Sequence, residues 1–449
     1  MNHRLTPLGV ALAISLAGCA SFSGNGGLQP VQEAAQRQLG KDLPLLRTTQ
    51  DEQRTADRVR ELLAQPLNAD SAVQIALLNN RGLQASLQEI GVAEADLVQA
   101  SRLPNPGFGF ARLKQGSEVE LDRGFSFDIA RLITLPMARG LEAQRFTATQ
   151  RGVTLEMFKL AAETRKAFYA AAAAEQIAGY QQEVQGAADA GAELAQRMVK
   201  AGNWSTLQQA REQGFATEAA LAVARAEQQR VASRERLTRL LGLPTSSGFS
   251  LPERLPDLPV ALSADPALEQ AALDQRLDIQ QAKSEVETQA RSLGLTRSTR
   301  FINLLELGYQ RNSMSGLPRQ TGYELRVEVP LFDWGDARVQ RAEALYMQTV
   351  QRAAQVAIDA RSELREAVQQ RRSSFEIARR CRDELVPLAK RVSEENQLRY
   401  NGMFISVFEL LADARAQVAA VNAALEAQRD FWIAQAELDM ATIGTPIRR

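Results

Sequence analysis

Histidine is almost missing from this chain: His3 is the only one among 449 residues, and cysteine occurs twice, as Cys19 and Cys381. His3 precedes an apolar leader that is expected to be cleaved, so the mature chain has no histidine. That excludes Ser-His-Asp and Cys-His catalysis, HExxH metal sites and histidine general bases together. Carboxylates alone can support glycosidase chemistry, but no feature of the sequence singles out a pair. The expectation is a protein that is not an enzyme, with no metal site and no cofactor beyond a covalent lipid. With Cys381 alone after cleavage, an intramolecular disulfide is impossible. Its neighbours Arg379, Arg380, Arg382 and Asp383 sit in a helical pattern, which makes it an unpaired helix residue. The balance of 53 basic against 53 acidic residues gives no reason to expect a nucleic-acid partner. Aromatics make up only 6% of the chain, and no later apolar run approaches the roughly 20 residues of a transmembrane helix. A membrane crossing would have to use strands.

What is present begins with Ser15-Leu16-Ala17-Gly18-Cys19-Ala20. Arg4, an apolar run from Leu8 to Leu16 and small residues before Cys19 have the shape of a bacterial export signal. The stretch resembles a lipobox, which implies cleavage after residue 18, thioether-linked diacylglycerol on Cys19 and an acylated new amino terminus. In lipoproteins of this kind Ala20, rather than an aspartate, points to the outer membrane. Residues 19–66 then form a lipidated arm of low pattern strength.

The remainder is written twice, as residues 67–243 and 265–445, each reading helix, two strands, very long helix, tight turn, long helix. In the first copy Asp70 to Arg102 is a helical stretch capped by Asp70 or Ser71, with Ala72, Val73, Ala76, Leu77, Leu83, Leu87 and Ile90 on one face. Leu103-Pro104-Asn105-Pro106-Gly107 ends it. A strand hairpin over 104–135 follows. From Val119 to Ile133 apolar residues alternate with Glu118, Glu120, Asp122, Ser126 and Asp128, the period of a two-faced strand. In the second copy Asp265 to Arg297 is the matching helix, and the hairpin covers 300–331 with strands Phe301–Arg311 and Tyr323–Leu331. The exits Leu135 to Gly140 and Pro330 to Gly335 correspond.

Both exits lead into rods, Met137 to Lys200 and Asp336 to Tyr400, each about 64 residues or about 95 Å long. The helical hairpins span 137–243 and 334–444. Their turns are Lys200-Ala201-Gly202-Asn203-Trp204-Ser205 and Tyr400-Asn401-Gly402-Met403-Phe404-Ile405-Ser406, the second one residue longer. In both, glycine is expected to take the left-handed carboxyl cap and Ser205 or Ser406 to cap the returning helix. Leu411, Ala414, Val418, Val421, Leu425, Gln428 and Trp432 form a coiled-coil seam. Residues 244–264 are a proline-rich linker wrapped outside the helices.

Four strands cannot close a barrel in a bilayer, because lipid tolerates no open sheet edge and the smallest single-chain barrels use eight. Three copies would supply 12, with Phe125, Phe127, Val327 and Val329 toward lipid and Glu120, Asp128, Glu324 and Glu328 toward water. The repeat, the Leu103-Pro104-Asn105-Pro106 strand entry and the two glycine-serine hairpins resemble the TolC-like outer-membrane efflux family over nearly the whole mature chain. The resemblance implies a mainly α fold with membrane β. It further implies a homotrimer in the outer-membrane lipid, joining a 12-stranded barrel to a 12-helix periplasmic tunnel. Its implied partners are a periplasmic adaptor protein and an inner-membrane efflux transporter. On that resemblance Gly202, Asn203, Trp204, Ser205, Gly402, Met403, Phe404 and Ser406 are the adaptor-contact tips, and Glu409 and Asp413 form an acidic gate. The implied function is a passive duct for small drugs or metal cations. A non-conducting periplasmic coiled-coil scaffold lipoprotein is the alternative, and it gives no use to the two-faced strands.

Overall fold

The computed structural model describes residues 21–262, 268–301 and 304–445. The signal segment, Cys19 and the Asp265-Pro266 helix opening lie outside them. The chain forms two compact units, each drawing on both copies of the repeat. One comprises the chain up to Val31, Ser86–Val153 and Ile279–Ala357; the other comprises Gln32–Ala85, Thr154–Asp278 and Ile358 onward.

The first unit holds a four-stranded antiparallel sheet in the order β1-β2-β3-β4: β1 (Gly107–Gln115), β2 (Glu118–Asp128), β3 (Leu305–Met314) and β4 (Gln320–Val327). The two hairpins join through β2 and β3, with Phe125 opposite Tyr309 and Arg123 opposite Arg311. The expected strand bounds are corrected: β3 runs on past Arg311 to Met314, β4 starts at Gln320 ahead of Tyr323, and three other bounds draw in. In the first copy the strand ends at Asp128, and Ile129 and Ile133 are already helical. Asp128 Oδ1 accepts from the Arg131 amide at 2.8 Å, a side-chain cap that starts the helix there. In the second copy β3 begins at Leu305 rather than Phe301, and β4 stops at Val327, leaving Glu328, Val329 and Leu331 outside the sheet. Pro330 has no amide to donate to a ladder, so the pairing cannot extend through it. The exits therefore differ: the first copy passes straight into a helix that contains Pro136, whereas the second crosses a loop to Asp336.

The helices of the second unit bury many small side chains, among them Ala72, Ala76, Ala167, Ala171, Ala172 and Ala173, with Phe168, Leu237 and Leu241 between them. In chain order the helices of the protein are α1 (Gln29–Ala34), α2 (Thr49–Leu63), α3 (Ala69–Asn79), α4 (Arg81–Ala100), α5 (Ile129–Lys200) and α6 (Thr206–Leu241). The second copy supplies α7 (Leu268–Gln275), α8 (Leu277–Thr299), α9 (Asp336–Arg380), α10 (Val386–Asn401) and α11 (Val407–Ile443).

The expected single helix over Asp70 to Arg102 is thus two, broken at Asn80, and its cap is Asn68. Asn68 and Ser71 form a reciprocal capping box, so Ser71 is the partner of the cap rather than the cap itself. At the break Asn80 Oδ1 accepts from the Leu83 amide at 3.0 Å, while its Nδ2 donates to the Leu240 carbonyl at 3.0 Å. The second copy breaks at Arg276. This side chain is fully buried. It donates to both Asp278 oxygens at 3.1 and 2.6 Å, to Glu363 at 2.9 Å and to the carbonyls of Ala360 and Ala441 at 3.2 and 2.8 Å. Burial works against its charge, and these acceptors outweigh it, holding the guanidinium above its usual range.

The second rod is not one α-helix either. A π turn at Cys381–Leu385 separates α9 from α10, one residue before Pro387. Proline has no amide for the preceding turn, and a wider turn accommodates the loss. Buried positions of the first rod recur 200 residues later, as in Thr164 and Leu364, Ala174 and Ser374, Ala178 and Ala378. Beyond the π turn the spacing is 201, between Ser205 and Ser406. The π turn absorbs the additional residue. Cys381 lies in it as a half-buried free thiol, pushed up by burial.

The arm has more structure than its sequence pattern implied. Gln74 accepts from the Asp42 amide and donates to its carbonyl, at 3.1 and 3.0 Å, and Gln84 does the same to Leu46 and Pro44 at 3.1 and 3.0 Å. Two buried glutamine side chains hold the arm as a neighbouring strand would. In the first unit Glu94 Oε1 accepts from the Ser23 amide at 2.7 Å. The linker runs along the helices, where Gln428 and Trp432 both donate to the Pro256 carbonyl, at 2.7 and 3.0 Å.

Candidate functional site: a two-faced sheet and two helical tips

Register assigns every strand residue to a face. Phe108, Phe125, Tyr309 and Tyr323 stand in one row, and Phe127, Leu307 and Leu325 in the next. Their rings meet in pairs, Phe108 with Phe125 at 5.1 Å and Tyr309 with Tyr323 at 5.7 Å between centroids. All seven are large apolar side chains left exposed, with Tyr323 at 85%. Such a patch is costly in water and is the solution expected against lipid. Val327 shares this face.

The opposite face carries Glu118, Glu120, Asp122, Asp128, Glu306 and Glu324 with Gln310 and Asn312. Its one base, Arg326, is held by Glu306 and Glu324, each at 3.0 Å. Gln310 also donates to Glu324. Glu120, Asp128 and Glu324 are therefore placed as the alternation predicts. One row of this face, Gly109, Gly124, Gln310 and Gly322, is nearly free of side chains. Within the described chain β1 and β4 each pair on one side only, so the sheet ends in two open edges.

The tips lie in the second unit. At the first, Gly202 takes the left-handed conformation at φ 77°. Its amide donates to Val199 O at 3.0 Å and that of Asn203 to Met198 O at 3.0 Å. Ser205 and Gln208 form a capping box that starts α6. At the second tip the expected assignment is corrected. Gly402 has φ −81°, and Met403 is the left-handed residue at φ 61°, the one non-glycine with positive φ among the described residues. The amides of Met403 and Phe404 donate to Tyr400 O and Arg399 O, each at 2.9 Å, repeating the pattern of the first tip. Gly202 thus corresponds to Met403, Asn203 to Phe404 and Ser205 to Ser406, and the two turns are equally long. A Cβ at 402 would stand 2.8 Å from the Phe404 ring as placed, so a larger residue there would have to turn that exposed ring away. Met403 and Phe404 are 93% and 83% exposed. Trp204, by contrast, is half-buried.

Equal turns fix the register past them. Glu409 is the third helical residue of α11, exposed, with its amide donating to Ser406 Oγ at 3.4 Å. Asp413 lies one turn on and accepts from Asn396 Nδ2 of α10. Its counterpart seven residues past Ser205 is Glu212, which sequence reasoning missed. Glu212 is buried and bound by Arg415 of α11, with Nη2 at 3.1 and 3.0 Å from its two oxygens. The same guanidinium lies 4.2 Å from the Phe215 ring centre. The signal was a glutamate and a phenylalanine three apart on one helix, unreadable until α11 was known to lie against them.

Among the described residues no helix is long and apolar enough to cross a membrane, and no group of histidine, cysteine, aspartate and glutamate could hold a metal ion. No protein-family profile and no curated protein matches this chain. Solved structures do. The chain is similar to the Campylobacter jejuni CmeC outer-membrane channel, with 15% identity over 85% of this chain and 87% of that one and a TM-score of 0.71. It is also similar to the Neisseria gonorrhoeae MtrE outer-membrane channel, with 18% identity over 87% and 89% and a TM-score of 0.70. With the Vibrio cholerae outer-membrane protein VceC the identity is 14% over 88% and 98%, and the TM-score 0.69. The fold is TolC-like, as the sequence resemblance implied.

Proposed function

We propose that three copies of this chain close their sheets edge to edge into a 12-stranded outer-membrane barrel that continues as a helical tunnel into the periplasm. The assembly is a passive duct: small molecules pass outward from an inner-membrane pump, through a periplasmic adaptor that seats on the tips. The observation that carries this reading is the sheet itself. It has an exposed apolar face, a charged face and two open edges, and only closure with other copies satisfies all three in a bilayer. The likeness to solved outer-membrane channels supports it.

Within this reading the acidic sheet face lines water and favours cations or neutral solutes. Exposed Met403 and Phe404 are the contact residues of the second tip, and Gly202, Asn203, Trp204 and Ser205 form the first. Glu409 of each copy contributes to an acidic ring at the tunnel end. Asp413 has a different part, since Asn396 ties it to the neighbouring helix of its own hairpin. Glu212 and Arg415 tie the two hairpins to each other, so a widening that parts them must break a charge-assisted pair. A lipidated Cys19 would be a short tether: Ser23 lies four residue steps along the chain, a reach of about 14 Å at most from the residue that Glu94 holds.

Purified trimer in planar bilayers tests the reading. Stepwise conductance with cation preference is the expected result. A verified trimer that inserts but carries no current would leave the scaffold role instead.

A further inference from the structure

Toward the hairpin turns the apolar sheet face changes character. Beyond the row of Phe108, Phe125, Tyr309 and Tyr323 stand Arg123 and Arg311, directly opposite each other on β2 and β3, with Phe110 beside them on β1 and Arg112 and Lys114 one and two rows nearer the turn. These four exposed bases are the only charged strand residues on that face, and none has a carboxylate partner among the described residues. On the other face six carboxylates accompany a single base, Arg326, which is paired twice. Like charges directly across a ladder repel. Asp122, one residue from Arg123 on β2, could have relieved them, but strand alternation points it to the far side of the sheet, and Arg311 is flanked by the neutral Gln310 and Asn312.

We propose that this basic cluster, centred on Arg123 and Arg311, binds the phosphate groups of anionic, acylated lipid in the outer leaflet, with the acyl chains lying on the aromatic and aliphatic rows below. Arg123 is two residues from Phe125, about 7 Å along the strand, which is the separation between a headgroup phosphate and the start of its chains. Arginine forks match phosphate oxygens in pairs, and a phosphate between Arg123 and Arg311 converts their repulsion into two charge-assisted contacts. The inference rests on the sheet spanning the membrane, as proposed above.

The test uses the full-length trimer in phosphatidylcholine vesicles doped with a bisphosphorylated, multiply acylated glycolipid. The parallel arms are the same glycolipid after enzymatic dephosphorylation and inorganic phosphate alone. Retained lipid and resistance of the trimer to heat are read together. The phosphorylated lipid should be held at least about tenfold more tightly than its dephosphorylated form, and Arg123→Gln with Arg311→Gln should abolish the difference. Arg123→Lys with Arg311→Lys should restore most of it. Equal retention of both lipids, or an unchanged glutamine variant, overturns the proposal. Stabilisation by inorganic phosphate alone overturns the assignment to lipid. Conductance is recorded on the same samples: current with no phosphate dependence refutes this inference alone, whereas failure of every variant and the wild type to insert refutes the membrane reading beneath it.

Discussion

Gly202 and Met403 occupy the same place in the two tips, and the chain makes the same turn with the residue best suited to it in one copy and a poorly suited one in the other. Both amides donate three residues back and both following amides close the wider loop. A left-handed conformation costs glycine almost nothing and an ordinary side chain roughly 1–2 kcal/mol. Where the two copies of a repeat share a backbone, the costlier residue marks a position at which something besides stability is served. At Met403 the side chain is displayed almost completely to solvent, next to the equally displayed Phe404. The helix breaks tell the same story: Asn80 in one copy caps a helix and Arg276 in the other clamps three elements, at breaks that end in the same Asn/Gln-Arg region of the repeat.

The sharpest way to break the comparison is at those breaks. Arg276→Ala removes the charge partner of the buried Asp278 carboxylate, leaving it the Thr445 amide, and should cost about 3–5 kcal/mol, seen as a large drop in the apparent unfolding temperature. Asn80→Ala removes a cap and should cost about 1–2 kcal/mol. Equal losses would mean that the guanidinium cluster is no more than a cap.

Next in size is the pair Glu212 and Asp413. Glu212→Gln removes the charge from a twofold contact with Arg415 and should weaken the link between hairpins by about 1.5–3 kcal/mol, raising single-channel conductance. Asp413→Asn, which acts within one hairpin, should change conductance less. Glu409→Ala should alter cation preference with little effect on stability, and unchanged currents would mean that Glu409 only faces water.

At the tips the expected signs are opposite. Gly202→Ala should destabilise by about 1 kcal/mol, and Met403→Gly should be neutral or stabilising by up to about 1 kcal/mol while weakening adaptor binding. Two losses of stability would show that Met403 is held by contacts within its own tip.

The smallest effect concerns pH. Burial pushes the Glu163 carboxyl up, but Lys166 and Arg236, each 2.7 Å away, outweigh it and hold the group below its ordinary value of 4.5. Its contribution is present above that value and is lost as pH falls through the lower, folded one. Glu163→Gln should therefore flatten the acid limb of a stability profile by less than about 1 kcal/mol. Its counterpart 200 residues on, Glu363, serves Arg276 instead.

Legibility in the sequence followed the range of the interaction. Alternation over 118–128, the twofold repeat, the two serine caps and the proline-rich linker are local patterns, set by neighbours a few residues apart, and they were readable without coordinates. The face assignment of Phe125, Phe127 and Val327 against Glu120, Asp128 and Glu324 follows from the same period of two. What only the tertiary structure decided depends on groups far apart in the chain. Asp128, not Ile133, ends its strand because a cap competes with the ladder there. The arm is ordered because Gln74 and Gln84 read its backbone from more than 30 residues away. The left-handed residue of the second tip is Met403 and not its glycine neighbour, because a π turn upstream shifts the frame by one residue. Arg276, Glu212 and Arg415 read as ordinary helix-surface charges in one dimension. Their energetic weight exists only once distant helices have packed together, within the second copy for Arg276 and between the two copies for Glu212 and Arg415.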